Sequence, residues 1–255
     1  MGIITITGWS SATVLFAVVT IRLKALTWDG AVAASALGLT VVFLSGPEWL
    51  APLFAFFGSS VLLGKAFRRR SERASDTKQG KPRDAAQVLC NGLPYAALVI
   101  WSAFTHRDVG MYLLITMAVA TSDTWSSEVG TALRGRTLNI IGFKPVAPGR
   151  SGGVSVAGSA AGIAGALCIA MLVLVLPGAT ATPLKDIAMI TVFGFSGMLV
   201  DSVLGSLFQA RYSMADSSIG DRGEQFVGGL RWMTNDLVNL LSNGITTAGA
   251  VWLLV

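Results

Sequence analysis

Charge, cysteine and histidine are all scarce in this sequence. Charged residues make up 13% of its 255 residues, whereas about 25% is usual for a soluble domain. The two cysteines, Cys90 and Cys168, stand alone in apolar runs, which argues against a disulfide scaffold or a cysteine-based metal site. His106 is the only histidine, so neither zinc ligation nor histidine acid–base chemistry is expected.

Long apolar runs are abundant instead. Hydrophobic residues account for 53% of the chain, and the mean hydropathy is +0.64. Windows of about 17–25 residues are long enough to cross a bilayer. They predict eight spans, at about 3–21, 30–45, 50–66, 88–104, 110–130, 153–176, 186–208 and 236–255. The expected fold class is therefore all-α, a polytopic transmembrane helical bundle that forms one domain over residues 1–255, without a cleavable signal peptide.

The distribution of basic residues predicts the orientation. Lysines and arginines cluster in the loops after the first, third, fifth and seventh spans, whereas the other loops hold only Arg107 and Lys185. The positive-inside rule places the basic loops in the cytoplasm and both termini outside it. Segment 67–86 is long and rich in charge, which predicts a mobile cytoplasmic loop. We expect a multi-pass protein of the plasma membrane or an internal membrane, and the net charge of +5 is no sign of nucleic-acid binding.

Four acidic residues lie at or near the cytoplasmic ends of the predicted spans: Asp123, Glu128, Asp201 and Asp236. Charges in spans are costly unless they are paired or hydrated, so they are functional candidates. All four fall near predicted cytoplasmic ends, which favours one polar pocket. Four carboxylates there would repel one another, and Mg2+ or another divalent cation shared with substrate phosphates would relieve this. Helix capping and an ion or proton relay are the alternatives.

A glycine-rich loop, "FKPVAPGRSGGVSVAGSAAG" at 143–162, leads into the sixth span. Its glycines let backbone N–H groups approach an anion, although the Walker A order is absent. We predict a helix from about Val154 with Ser151 as its cap. The residues of this loop that are expected around a phosphate are Lys144, Arg150, Ser151, Gly152, Gly153 and Ser155. Gly158, Gly162 and Gly165 fit close helix packing instead.

Other polar residues near the same ends are further candidates for phosphate or nucleotide contacts. Arg22 and Lys24 follow the first span, with interfacial anchoring as the alternative. Asn91 lies one helical turn after Gln87. Asn235 and Asn239 flank Asp236 at helical spacing.

Five sequence blocks carry a resemblance to a known family: "RDAAQVLCNG", "ATSDTWSSEVG", "PGRSGGVSVAG", "GFSGMLVDSVLGSLFQ" and "NDLVN". They resemble the integral-membrane family that contains chloroplast phytyl-phosphate kinase and transmembrane protein 19, which is distantly similar to phytol kinase and dolichol kinase. The resemblance implies phosphoryl transfer from CTP to a phytyl- or geranylgeranyl-phosphate-like acceptor. It implies Asp123, Glu128, Asp201, Asn235 and Asp236 around metal and phosphate, with Asp123, Asp201 and Glu128 catalytic, and Ser151, Gly152 and Gly153 in the loop.

Several functions therefore remain open at the level of the sequence. If Asp123 acted as a base on a hydroxyl, the enzyme would be a prenol or polyprenol kinase. Cytidylyl transfer from CTP is a neighbouring reaction. A transporter or ion carrier would be expected to show related halves, and a non-catalytic scaffold is a third class. The expected partners are a nucleoside triphosphate, a prenyl-chain lipid phosphate and membrane lipids, and a homodimer is left open.

Overall fold

The computed structural model describes residues 3–71, 81–176, 182–213, 219–220, 223 and 225–254. Eight α-helices lie in these ranges: α1 (Ile3–Arg22), α2 (Trp28–Leu44), α3 (Leu50–Ser71), α4 (Ala85–Thr105), α5 (Gly110–Leu133), α6 (Val156–Ala170), α7 (Pro183–Phe208) and α8 (Asn235–Leu254). Short 3-10 helices, Pro47–Trp49 and Met171–Leu174, precede α3 and follow α6. The helical bundle predicted from the apolar runs is confirmed.

Five of the helical segments in the described ranges are long and apolar enough to cross a membrane: Pro47–Phe67, Ala85–Thr105, Val156–Leu174, Pro183–Phe208 and Asn235–Leu254. α2 is apolar but short, and α5 carries two acids in its second half. The chain is thus a multi-pass membrane protein by its helices. The count of eight spans and the extracytoplasmic termini stay predictions.

Helix α5 forms the centre of the bundle. It packs against α3, α4, α6, α7 and α8, and every residue from Leu113 to Ser122 is buried. Helix α6 approaches it most closely because Gly158, Gly162 and Gly165 face the backbone of α5, where a Cβ atom would press on Ser126, Ser122 and Thr121. This confirms the packing role predicted for the three glycines. The polar second half of α5 is therefore held inside the protein and kept away from lipid.

Two small antiparallel sheets interrupt the all-helical architecture that we expected. Strands β1 (Thr137–Asn139) and β2 (Gly153–Ser155) pair in the connection between α5 and α6. After α7, β3 (Arg211–Ser213) pairs with both β4 (Ile219–Gly220) and β5 (Gln225–Gly228). Each strand has two to four residues, which is too short for a period-two pattern to be recognised. The two sheets fix the conformation of the polar connections that follow α5 and α7, at one end of the bundle.

The ends of the predicted mobile loop, 67–86, are ordered. Residues 72–80 lie outside the described residues, but α3 continues to Ser71 and α4 begins at Ala85. Asp84 caps α4 with a reciprocal pair of hydrogen bonds: its carboxylate accepts from Gln87 N–H at 2.9 Å, and its own N–H donates to Gln87 Oε1 at 3.3 Å. This capping box fixes where the chain returns to the bundle, so both ends of the segment belong to the fold.

Candidate functional site

A polar cavity of about 440 Å3 opens at one end of the bundle. Its walls come from the C-terminal ends of α3, α5 and α7, the N-terminal ends of α4 and α8, and the glycine-rich loop. This is the end that carries the loops predicted to be cytoplasmic. The alternation of helix directions thus gathers chain ends that are far apart in sequence around one space.

All four predicted acids line this cavity. Glu128 and Asp236 are buried, with 6% and 7% of their surfaces exposed, while Asp123 and Asp201 are half-buried. Asp123 on α5 and Asp201 on α7 are close enough to act on each other electrostatically. The sequence predicted that these acids would meet, and the structure brings them together.

Asp201 is held by α8. Its carboxylate accepts a hydrogen bond from Ser242 Oγ at 2.9 Å. With its amide oriented to satisfy both neighbours, Asn239 donates to Asp201 Oδ2 at 3.1 Å and to the carbonyl of Asn235 at 3.1 Å. Asn239 therefore serves to position an acid at the cavity wall, and Asn235 lines the wall beside it.

The oxygen donors fit a hard cation that also binds substrate phosphates. Among the described residues, no three side chains of the His, Cys, Asp or Glu type are grouped as a ready metal site. Mg2+ seldom uses such a cage, because it commonly binds one or two carboxylates, water and phosphate oxygens. Glu128 Oε2 is buried without a hydrogen-bond partner in the described part of the chain. A buried carboxylate oxygen of this kind is costly unless a ligand completes it.

Six basic side chains line the same cavity: Lys24, Lys65, Lys81, Arg83, Arg150 and Arg231. Sequence reasoning selected only Lys24 and Arg150 from this set. Arg150 Nε is buried and, like Glu128 Oε2, has no hydrogen-bond partner among the described residues. Basic groups beside acids suit an anion that arrives with a cation, which is the charge pattern of a metal-bound polyphosphate.

Arg83 is the most informative residue that the sequence analysis missed. Its backbone joins the chain between α1 and α2, with Arg83 N–H donating to Ala25 O and Thr27 N–H donating to Arg83 O, both at 3.0 Å. Its guanidinium lies 4.9 Å from the centre of the Phe56 ring, and Glu128 and Asp123 act on it electrostatically. Burial lowers the pKa of Arg83, and the two carboxylates oppose this shift.

The glycine-rich loop lies against α7. Gly149 and Gly152 have φ angles of 84° and 76°, a region that favours glycine. A Cβ atom on Gly152 would overlap Ser206, so no other residue fits there without a shift. Ser151 Oγ donates to Gln209 Oε1 at 2.7 Å. Residues Gly149–Gly153 all line the cavity.

Two predicted phosphate-binding residues lie outside the cavity, and the start and the cap of α6 differ from the prediction. Arg22 is exposed and Lys144 is exposed, and neither lines the cavity. The helix after the loop begins at Val156, and its cap is Ser155, whose Oγ accepts from Gly158 N–H at 3.1 Å. Ser151, which we expected as the cap, contacts Gln209 instead because β2 separates it from the helix. Ser155, Asn91 and Lys24 line the cavity as expected.

An apolar cavity of about 330 Å3 adjoins the polar one. It is lined by α1, α2, α3 and the start of α4, and its walls include Phe16, Leu37, Leu53, Phe54 and Phe57. Arg83, Gln87 and Asn91 line both cavities. The two spaces therefore meet at the N-terminal end of α4.

A helical bundle with a charged cavity at one end and an apolar cavity beside it defines the chain as a multi-pass membrane protein with an amphiphilic site. Residues 11–247 match the model of the integral membrane protein family DUF92. The chain belongs to this family, which bears out the membership expected from the five sequence blocks.

Three relatives are spread over archaea, plants and cyanobacteria. Protein PGR of Arabidopsis thaliana is 29% identical over 90% of this chain and 91% of its own length. An uncharacterised membrane protein of Methanocaldococcus jannaschii is 28% identical over 72% of this chain and 74% of its own length. An uncharacterised membrane protein of Synechocystis is 26% identical, with coverages of 80% and 72%. No solved structure matches.

Proposed function

We propose that this protein is a lipid kinase that transfers the γ-phosphoryl group of CTP to a prenyl phosphate of the phytyl or geranylgeranyl type. The observation that carries the proposal is the composition of the polar cavity, where four acids and six basic residues surround one space. A simple ion path would not need so many basic groups. Phosphoryl transfer does need both signs of charge, because a metal is held by acids while basic groups stabilise phosphate oxygens.

The reaction balances without a strong general base. An oxygen of the acceptor monophosphate forms a bond to the γ-phosphorus of CTP, the bond from that phosphorus to the β,γ-bridging oxygen breaks, and CDP leaves with the electron pair. The acceptor oxygen is already anionic, so no proton has to be removed from it. This suits a cavity whose lining contains no histidine among the described residues.

Each group of residues has a role in this reaction. Glu128 and Asp123 would hold a Mg2+ ion, and Asp201 and Asp236 line the same cavity. When bound, the ion would neutralise developing charge on the phosphate oxygens. Arg150 and the backbone of Gly152 and Gly153 would hold the phosphates of the donor. Lysine and arginine side chains on the opposite wall would hold the acceptor, so that both phosphates are aligned for transfer.

The choice of CTP and of a prenyl phosphate rests on the motif resemblance, and the choice of phosphoryl transfer rests on the cavity. The test is the purified protein in detergent with geranylgeranyl phosphate, Mg2+ and CTP, analysed for products. Prenyl diphosphate together with CDP is the expected result. Pyrophosphate together with a CDP-lipid would instead identify a cytidylyltransferase, and turnover of the free alcohol alone would identify a prenol kinase.

Two controls distinguish catalysis from ion transport. The Asp123→Asn and Asp201→Asn variants should lose product formation while remaining folded. If substrate-independent ion flux in liposomes appears with the wild type and is lost in Asp201→Asn, the protein is an ion carrier and the kinase proposal fails. If no prenyl phosphate is converted with any nucleoside triphosphate, the proposal also fails.

A further inference from the structure

We infer that the apolar cavity lined by α1–α4 receives the hydrocarbon tail of the acceptor, whose phosphate lies in the polar cavity. This inference rests on the proposed function because it assigns the two ends of one amphiphilic substrate. Protein interiors leave few voids larger than a water molecule. An apolar space of about 330 Å3 is within the size range of small-molecule sites, about 300–1,000 Å3.

The walls of the apolar cavity are built for a hydrocarbon. Phe16 of α1 packs edge-to-face on Phe54 and Phe57 of α3, with ring centres 5.7 Å and 6.1 Å apart. Leu37 and Gly38 of α2 lie across from them. α2 and α3 pack loosely against each other, so a gap remains between two apolar helices. The walls formed by α1–α3 carry no charged side chain among the described residues, and their only hydroxyls are those of Thr13 and Ser35, whereas Arg83, Gln87 and Asn91 line the cavity at the start of α4.

The junction between the cavities sets the direction of the substrate. The guanidinium of Arg83 lies there, 4.9 Å from the centre of the Phe56 ring, and interacts electrostatically with Glu128 and Asp123. Phe56 lines the apolar cavity, whereas both carboxylates line the polar one. Asn91 donates one of its two Nδ2 hydrogens to the carbonyl of Gln87 at 2.9 Å, and together with Arg83 it forms the polar rim where the two cavities meet. A phosphate bound by Arg83 would direct its tail past Phe56, away from the acids.

Two glycines control the size of the apolar cavity. A Cβ atom on Gly92 would overlap Leu37, so α2 and α4 are already in close contact there. At Gly38 the nearest atom to such a Cβ is Leu50 Cδ2 at 3.7 Å, which is ordinary contact. A leucine at position 38 can therefore be accommodated by the backbone, but its side chain would fill space that the tail needs.

The kinetic test compares acceptors that share the phosphate and differ in the tail. Gly38→Leu should lower kcat/KM for geranylgeranyl phosphate by about tenfold or more, as expected when a pocket loses room for hydrocarbon. It should leave kcat/KM for dimethylallyl phosphate and the KM for CTP unchanged. Gly58→Leu is the matched control, because a Cβ atom there meets nothing within 4 Å and Gly58 lines neither cavity. Equal losses for both acceptors, or no loss, would overturn the inference.

A labelling test does not depend on turnover or on the folding of the variant. Geranylgeranyl phosphate with a diazirine at the tail end is photolysed with the wild-type protein, and the labelled peptides are mapped. Labels on the cavity-facing residues of α1–α3, blocked by unlabelled geranylgeranyl phosphate and retained in excess phosphatidylglycerol, are the expected result. Labels elsewhere, or competition by phosphatidylglycerol, would overturn the tail site even if the kinase reaction is observed. Labelling in the cavity without any turnover would support the tail site but contradict the proposed kinase activity.

Discussion

Replacing Arg83 by methionine gives the sharpest test of the site. Methionine keeps an apolar stem of similar length against Phe56, whereas the charge beside Glu128 and Asp123 disappears. A hydrogen bond to a charged group contributes about 1.5–3 kcal/mol. If Arg83 holds the acceptor phosphate during transfer, this loss corresponds to a fall of about tenfold to 150-fold in kcat/KM for the acceptor.

The assay is a two-substrate steady-state measurement in detergent, with CDP release as the signal. The loss should fall on the acceptor, while the KM for CTP changes little, because the donor phosphates are assigned to the opposite wall near Arg150. Arg83→Lys should recover part of the rate, since it restores the charge without the planar fork. Two outcomes would show that Arg83 only supports the fold. One is an equal change in the kinetic constants for acceptor and donor. The other is an Arg83→Lys variant as inactive as Arg83→Met, with an equal fall in melting temperature.

Three further predictions follow from individual contacts. Glu128→Gln should reduce the stabilisation by Mg2+ that is measured by thermal shift. At a Mg2+ concentration a hundredfold above the wild-type Kd, binding stabilises the wild type by about 2.7 kcal/mol, and a tenfold weaker site would be stabilised by only about 1.4 kcal/mol. An undiminished shift would show that Glu128 does not bind the metal. Gly152→Ala should lower the melting temperature, because Gly152 has a positive φ and a Cβ atom there would overlap Ser206. Gly58→Ala should instead raise the free energy of unfolding by about 0.4–1 kcal/mol and the melting temperature with it; the reverse order would be inconsistent with the loop geometry. Asp84→Ala should lower the free energy of unfolding by about 1 kcal/mol, because it removes the cap of α4. It should also slow turnover of the acceptor, because the neighbouring Arg83 is then held less firmly, whereas Asp84→Asn should behave almost as the wild type.

The helices and the acids could be predicted from the sequence because each has a strong physical signal. Apolar runs define helices to within a few residues, as in the span expected at 186–208 and found as Pro183–Phe208. Carboxylates in such runs are costly, so Asp123 and Asp201 stand out. The glycine loop could be predicted as well, since positive φ at Gly149 and Gly152 requires the residues that are there.

Arg83 and the small sheets could not be predicted for the opposite reason. Arg83 follows a charged segment, and although it is the first residue of the block "RDAAQVLCNG", no local pattern indicates that its side chain reaches the acids. Its position depends on backbone hydrogen bonds to Ala25 and Thr27, which are distant in sequence. Likewise, Thr137–Asn139 becomes a strand only because Gly153–Ser155 returns beside it. Such features arise from the tertiary fold and have no local pattern of their own.

The central position of α5 has a consequence for how the protein is made. The first half of this helix is apolar, but its second half carries Asp123 and Glu128 among hydroxyl side chains, so the whole helix is not among the segments apolar enough to cross a membrane by themselves. Its stable entry therefore depends on helices that are synthesised after it, above all α6, whose glycines fit its polar half. During synthesis, α5 should wait at the edge of the insertion machinery until that partner arrives, and a chain truncated before α6 should be a substrate for quality-control proteases.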